Sequence, residues 1–459
     1  MVATSDVVDS SVSGTAGSDD VDAPRRQRPS LAGKATAPGV GFGPAVRPPT
    51  HDRGGVLVTA DLTPADAAAI DPSKITAVVI AAGAPLSHAA IVVRSLGIPA
   101  VAGTGHELLD IAAGTDLLVD GDTGIVRIDP TASEIELARA RQLAGLRMRD
   151  DARRLGAGPA ATTDGHVVGV AANVGGTADA RLAVREGADG VGMLRTEFAF
   201  LGRDEPPDEE AQYRAYRDVA DALGDRPLVV RTLDLGADIP AWNAPPEPNP
   251  ALGNRGIRLT LSDPGLFRTQ LRAVTRLARD RPIGVMFPMV TTVSELLEAR
   301  AYLDESPVGA DALRVGITVE VPAAALIAEV FAPNVDFFAI GSNDLTQYAL
   351  ATDRANSAVA DLADGLHPAV LKLIREVTAA AERHERTVSV VGELASDPLA
   401  IPVLMGLGVT SLSVRPNAVA AVKQVVRQVN LGEARLLSAR AISAESSAEV
   451  RQLAARACE

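Results

Sequence analysis

Hydrophobic and polar positions alternate in two distinct rhythms along this chain. From position 159 onward, eight short apolar runs rich in β-branched residues recur: Val167–Val174, Gly190–Leu194, Pro227–Thr232, Ile283–Met289, Val315–Val319, Phe337–Ile340, Val388–Val391 and Ser411–Val414. Between them, Thr177–Glu186, Glu209–Leu223, Pro264–Ala278, Val293–Leu303 and Pro368–His384 carry apolar residues at helical spacing. Strands alternating with helices, eight times over, predict a (β/α)₈ barrel spanning 159–440. A doubly wound sheet is the alternative on the same pattern.

Before the barrel the rhythm is shorter and more often broken by glycine. Strand-like runs at Gly55–Ala60, Ile75–Ile80, Ala100–Ala102, Leu117–Val119 and Ile125–Ile128 surround one helix expected to start near Ser87, where Ser-His-Ala-Ala-Ile-Val-Val-Arg offers an N-cap and an apolar stripe. This predicts a small α/β domain over 31–130. Residues 131–158, opening Thr-Ala-Ser-Glu, predict a charged amphipathic linker helix. Residues 1–30 lack apolar periodicity and are expected to form a disordered tail, and 441–459 a C-terminal helix or tail.

Composition narrows the function. A formal charge of −14 argues against a nucleic-acid binder working by counterion release. One cysteine, Cys458, excludes an internal disulfide and a multi-thiolate metal site. No apolar run is long enough to span a membrane and no secretory signal is evident, so a cytoplasmic protein is expected.

Polar residues concentrate where a barrel places its chemistry, at the C-terminal ends of strands. Strand two ends in Arg195-Thr-Glu197, strand three in Arg231-Thr-Leu-Asp234, and strand five in Glu320. Strand six runs into Gly341-Ser-Asn343-Asp344 and strand seven into Gly392-Glu393. Arginine forks grip phosphate or carboxylate bidentately. Carboxylates beside an anionic substrate require a hard cation between them. The pattern predicts a site for a phosphorylated anion held with a divalent metal.

These motifs resemble, in order and over roughly 31–440, the phosphoenolpyruvate-utilising enzymes, in particular enzyme I of the bacterial sugar phosphotransferase system. The residues carrying the resemblance are Ala37-Pro-Gly-Val-Gly-Phe-Gly-Pro-Ala, Ser87-His-Ala-Ala-Ile-Val-Val-Arg-Ser-Leu-Gly-Ile-Pro-Ala-Val-Ala-Gly-Thr-Gly, Gly190-Val-Gly-Met-Leu-Arg-Thr-Glu-Phe, Val230-Arg-Thr-Leu-Asp, Asn249-Pro-Ala-Leu-Gly-Asn-Arg-Gly-Ile-Arg-Leu, Val319-Glu-Val-Pro-Ala-Ala, Ile340-Gly-Ser-Asn-Asp-Leu-Thr-Gln-Tyr and Gly392-Glu-Leu-Ala. The resemblance implies a small swivelling phosphohistidine domain followed by a TIM barrel. It implies transfer of a phosphoryl group from phosphoenolpyruvate to His88 and on to an acceptor protein, with release of pyruvate. Arg195, Arg231, Arg255, Asn343 and Arg354 would bind substrate, and Glu320 and Asp344 would ligate Mg²⁺. A homodimer and an HPr-like phosphocarrier partner are implied as well. Read from the residues alone, His88 also fits a helix-start residue that only caps or packs. Arg94 fits either a counter-charge to phosphate or a surface ion pair.

The chain also departs from the family. The large helical module that docks HPr has no room between Phe42 and Val56. Where the family carries a cysteine as general acid for the enolate, this chain has Val391, which cannot donate a proton. Ile239 stands at a family lysine, Leu86 at a threonine, and Gly83-Ala84 at a Gly-Gly. A regulatory protein that binds phosphoenolpyruvate or pyruvate without turnover is the competing expectation. A dikinase or synthase is disfavoured because no nucleotide-binding domain fits the length.

Overall fold

A computed structural model of the chain describes residues 29–457 apart from 49–53, 64, 65, 68, 84–87, 157, 202, 204, 237–246, 307–312 and 357. The expected tail, Cys458, His51, Leu86 and Ile239 lie outside the described residues.

The small domain is an eight-stranded mixed sheet of β1 (Ser30–Ala32), β2 (Lys34–Ala37), β3 (Val40–Val46), β4 (Gly55–Thr59), β5 (Ile75–Ile80), β6 (Ala100–Ala102), β7 (Asp116–Asp120) and β8 (Ile125–Ile128). Their order is β1-β8-β7-β3-β4-β5-β6-β2. Alternate residues of β4 and β5 feed two cores, because successive side chains point to opposite faces. Val56, Val58, Ala77 and Val79 pack with Leu117, Val119 and Val126 on one face. Leu57, Val78 and Ile80 pack on the other against Ala89, Val92 and Val93 of helix α1 (His88–Ser95). The helix lies where the sequence placed it, and its expected N-cap, Ser87, lies outside the described residues.

Strands β1 to β3 were not expected. In β3, Gly41, Gly43 and Pro44 mask the alternation that marks a strand. Gly41 is there because a Cβ at that position would lie 2.1 Å from the Thr76 carbonyl oxygen. β3 and β4 pair in parallel through Ala45–Val56 and Val46–Leu57. Only residues 47–54 join them, shorter than the usual parallel crossover.

Helix α2 (Ala132–Gly156) connects the domains. Thr131 and Glu134 form its capping box, as Thr131 Oγ1 accepts from the Glu134 N–H (3.2 Å) and the Glu134 carboxylate from the Thr131 N–H (2.8 Å). Its far end is pinned to the barrel. Arg153 pairs with Glu186, and the buried Lys423 donates to Asp189 Oδ1 (2.6 Å) and to the Gly158 carbonyl (2.9 Å).

The expected barrel is present. After a short β9 (Ala160–Ala161), eight parallel strands follow: β10 (Val167–Val174), β11 (Val191–Arg195), β12 (Leu228–Arg231), β13 (Ile283–Phe287), β14 (Leu313–Val319), β15 (Phe337–Gly341), β16 (Thr387–Val391) and β17 (Ser411–Val414). They pair in sequence, and β10 closes the ring against both β11 and β17. The doubly wound alternative is thereby excluded. The helices appear where apolar spacing placed them. Pro264–Leu277 is capped by Asp263, whose carboxylate accepts from the Leu266 N–H, and buries Phe267 edge-on to Phe287 and Tyr302. The C-terminal residues are helical at Leu431–Ala441 and Ser447–Ala457.

β13 ends two residues before the expected Met289. The reason is Met289 itself, whose φ of 59° takes the chain out of the extended region. A positive φ at a side-chain-bearing residue is strained and persists where the surroundings impose it.

Candidate functional site

The mouth at the C-terminal ends of the barrel strands holds a dense charge cluster. Arg195 and Arg231 are the last residues of β11 and β12 and pair across them in register. Glu320 directly follows β14. Asn343 and Asp344 sit in the first turn of helix α3 (Ser342–Ala349), which directly follows β15. Arg255 arrives from the loop before helix Ile257–Ser262, and Arg354 from the loop after α3. The strands end side by side, so residues up to about 160 positions apart meet at one opening.

Arg255 is the most constrained of these. Its Nε and Nη2 donate to the two oxygens of Asp234 (3.1 and 2.8 Å), and its Nη1 to Asp344 Oδ1 and the Tyr348 hydroxyl (both 3.1 Å). Arg231 reaches Glu197 (3.2 Å), Asp234 (3.3 Å) and Glu320 (3.6 Å). Its buried Nε has no acceptor among the described residues. Arg354 lies 3.7 Å from Asp344. The Arg195 side chain makes no hydrogen bond or ion pair among the described residues, and burial together with the nearby Arg231 lowers its pKa. A cation with an open fork, beside an arginine with an orphaned N–H, is a receptor for an anion.

The carboxylates are built with equal care. Glu320 Oε2 accepts from the N–H of Met289 (3.0 Å), the residue at which the positive φ turns the chain after β13. Gly341 leaves room for Glu320, because a Cβ there would lie 2.4 Å from Glu320 Cγ. Burial, and then the neighbouring Asp344, push Glu320 up to about 8. Burial acts in the same direction on Asp344, but Arg354 and Arg255 outweigh it and hold Asp344 well below the usual carboxylate range. Two buried carboxylates that repel each other, one with only a distant arginine, fit a divalent cation supplied with oxygen ligands. The two carboxylates alone do not complete a coordination shell, so substrate oxygens and water would supply the rest.

The sequence reading singled out every arginine and carboxylate named above except Glu197 and Asp234, which it noted only as polar strand ends. It also missed Met289 and Tyr348. Asp234 could have been found, since it lies three residues after Arg231. Met289 carries no sequence signal, because its contribution is a backbone N–H.

Val391 is the last residue of β16, level with Gly341 of β15, and its carbonyl accepts from Ser342 Oγ (3.0 Å). It packs inside the barrel with Met193, Met286, Phe337 and Ala339, and its environment is apolar. Asn343 Oδ1 accepts from the Glu393 N–H (3.2 Å), which ties the β15 and β16 ends together. Of the remaining histidines, His367 caps helix Pro368–Arg383 and His384 pairs with the exposed Glu329.

His88 opens α1, and that helix lies against the barrel mouth. Phe198, three residues beyond Arg195, packs onto the small-domain core that contains Ala89 and Val92. Arg94 takes an arrangement the sequence reading did not anticipate: it is buried and pairs with Glu393 at the barrel mouth (2.9 Å).

Among the described residues no helix is long and apolar enough to cross a membrane. Residues 149–431 match the family described as PEP-utilising enzyme, PEP-binding domain, and residues 51–124 match PEP-utilising enzyme, mobile domain. The chain is 45% identical over 402 residues to a multiphosphoryl transfer protein of Rhodobacter capsulatus, covering 87% of this chain and 49% of that one. It is 43% identical over 413 residues to a phosphoenolpyruvate-protein phosphotransferase of Haloferax volcanii (87% and 72% covered). It is 38% identical to the protein of the same name from Staphylococcus carnosus (88% and 72% covered). The chain thus spans about half the length of the multiphosphoryl transfer proteins it matches and under three quarters of the phosphotransferases. Mobile domain, barrel and charged mouth together place the chain in the family of phosphoenolpyruvate-utilising enzymes.

Proposed function

We propose that this chain is a phosphoenolpyruvate-dependent phosphotransferase that works through a phosphohistidine at His88. The observation carrying this reading is the convergence at one mouth of Arg195 with an open fork, Arg231 with an orphaned N–H, and the Glu320–Asp344 pair. An imidazole nitrogen of His88 attacks the phosphorus of phosphoenolpyruvate. The bond from phosphorus to the enol oxygen breaks, and the enolate of pyruvate leaves and takes up a proton at carbon.

Arg195 and Arg231 grip the phosphoryl oxygens, with Arg354 and Asn343 completing the cradle. Arg255, locked on Asp234 and Asp344, keeps the carboxylates in place and offers positive charge to the anionic substrate. Glu320 and Asp344 would hold Mg²⁺, which supplies electrostatic stabilisation of the charge spread over the phosphoryl and enolate oxygens. The start of a helix at His88 suits the anionic phosphoimidazole.

The apolar setting of Val391 slows the last step. Protonation of the enolate then falls to solvent, and general acid catalysis, worth ~10²–10⁴-fold in its own step, is lost. This same observation favours the second reading, a regulatory protein that binds phosphoenolpyruvate or pyruvate without turnover. The acceptor is proposed to be a phosphocarrier protein that docks without the helical module, given the short 47–54 connection. A homodimer in the cytoplasm completes the proposal, and light scattering giving one chain mass would remove the dimer.

The deciding experiment is incubation with phosphoenolpyruvate labelled at phosphorus, with Mg²⁺. Acid-labile, base-stable label on the wild type and none on His88→Ala supports the enzyme. Ligand binding without label supports the regulatory reading.

A further inference from the structure

Among the contacts that join the small domain to the barrel are two ion pairs and one aromatic side chain. Phe198 of the barrel packs onto the core beneath α1. Lys34 of β2 pairs with Asp361 (2.8 Å), largely in solvent. Arg94 of α1 pairs with Glu393 (2.9 Å), and here the side chains are only 8% and 22% exposed. Asp361 and Glu393 both line a cleft of about 320 Å³ beside Asn343, so the two pairs bracket one seam at the edge of the mouth.

The two pairs differ in how well they are prepared. The Arg94 fork is held by its own domain, since Nε donates to the Thr36 carbonyl of β2 (2.6 Å). Glu393 is held by the barrel, since its N–H binds Asn343 and its carboxylate also faces Arg415 (3.7 Å). Burial acts to raise Glu393, but Arg94 and Arg415 outweigh it and keep it ionised. The Asn417 side-chain amide adds a bond to the Arg94 carbonyl at the end of α1 (3.3 Å). An exposed pair contributes little, whereas breaking a buried, pre-oriented pair leaves a charge stranded.

Arg94 lies six residues after His88, about 9 Å along the helix and about 240° around it. With its fork committed to the Thr36 carbonyl and to Glu393, Arg94 acts on position, not on the phosphoryl group.

We propose that Glu393 is a positioning residue whose ion pair with Arg94 latches the small domain onto the barrel mouth in the pose that presents His88 to substrate. The inference rests on the phosphoryl-transfer reading above. Release of the domain toward an acceptor requires this pair to open along with the weaker Lys34, Phe198 and Asn417 contacts, while the substrate cradle stays intact.

The test uses the full chain with Cys458→Ser and spin labels on cysteines introduced at the exposed Glu107 and Arg279, one in each domain. The wild type should give one dominant interdomain distance. Arg94→Gln and Glu393→Gln should each broaden it and lower the rate of His88 labelling at least about tenfold, with KM for phosphoenolpyruvate unchanged. The double variant should fall no further than the worse single, because both remove the same pair. Unchanged distances in both singles, additive losses in the double, or a labelling rate equal to or above wild type would each overturn the latch. Should Glu393→Gln fail to fold, Glu393→Asp and Arg94→Gln decide by the same readouts. If the wild type takes no label at all, the phosphotransferase reading fails, and the distance measurement still decides whether the pair holds the domains together.

Discussion

The barrel mouth and the small domain solve opposite problems. At the mouth, four arginines and four carboxylates (Arg195, Arg231, Arg255 and Arg354 with Glu197, Asp234, Glu320 and Asp344) come from strand ends and the loops beside them, and all but Arg195 are tied to one another by ion pairs. On the small domain, the proposed chemistry rests on one histidine at the start of an eight-residue helix. Gripping a multiply charged anion needs many donors fixed in advance, since reorienting them during the reaction would cost the stabilisation they give. Carrying a phosphoryl group needs one nucleophile and freedom to travel. The comparison predicts that damage to the mouth weakens binding and chemistry together, whereas damage to α1 leaves binding intact.

The sharpest break comes from His88→Ala. Labelling should vanish while calorimetry shows phosphoenolpyruvate binding within about twofold of wild type; a matching loss of affinity would show that the two regions are not separable. Arg195→Gln should retain the fold, because no pair is broken, and lower kcat/KM by ~10²–10³-fold, the scale of losing one preorganised donor to a charged transition state. Val391→Cys should raise pyruvate release and leave His88 labelling unchanged. An unchanged release rate would refute the account of the missing acid. Gly341→Ala should push Glu320 off its position and cost about 1–3 kcal/mol, read by thermal unfolding together with weakened Mg²⁺ dependence.

The smallest effect lies on the last helix, whose Arg451 lines the cleft beside Asn343 and Glu393. Arg451 donates to both oxygens of Asp364 (2.7 and 2.9 Å) and to Asp397 (2.9 Å). Burial acts to raise Asp364, but hydrogen bonds from Arg451 and from the Leu366 N–H outweigh it and lower its pKa. A lowered folded-state pKa means stability that is fully present above the unfolded value near ~3.9 and is lost as pH falls through the folded one. Arg451→Met should therefore cost at most about 1 kcal/mol at neutral pH, given its partial exposure, and nothing at low pH. Unfolding measured from pH 7 to pH 2.5 checks the sign.

Most of the barrel was legible in advance because each of its strands is buried and reads as a continuous apolar run, with helices of clear period between. β3 was not, since its glycines and proline answer to close backbone contacts that the local pattern cannot express. The arginines and carboxylates of the mouth were legible as strand-end residues. The Met289 N–H was not, because a backbone donor has no residue type.

By itself the sequence determined the two rhythms, the order of the motifs, and which side chains carry charge at strand ends. It also determined that a valine stands where a proton donor is expected. The tertiary structure alone decided which charges meet. Arg255 lies 21 residues from Asp234 and 89 from Asp344 yet binds both, and Arg94 finds Glu393 across a domain boundary. The physical reason is that periodicity is a local property of the chain. Pairing depends on where the closing barrel and the docked domain bring distant side chains out of water together.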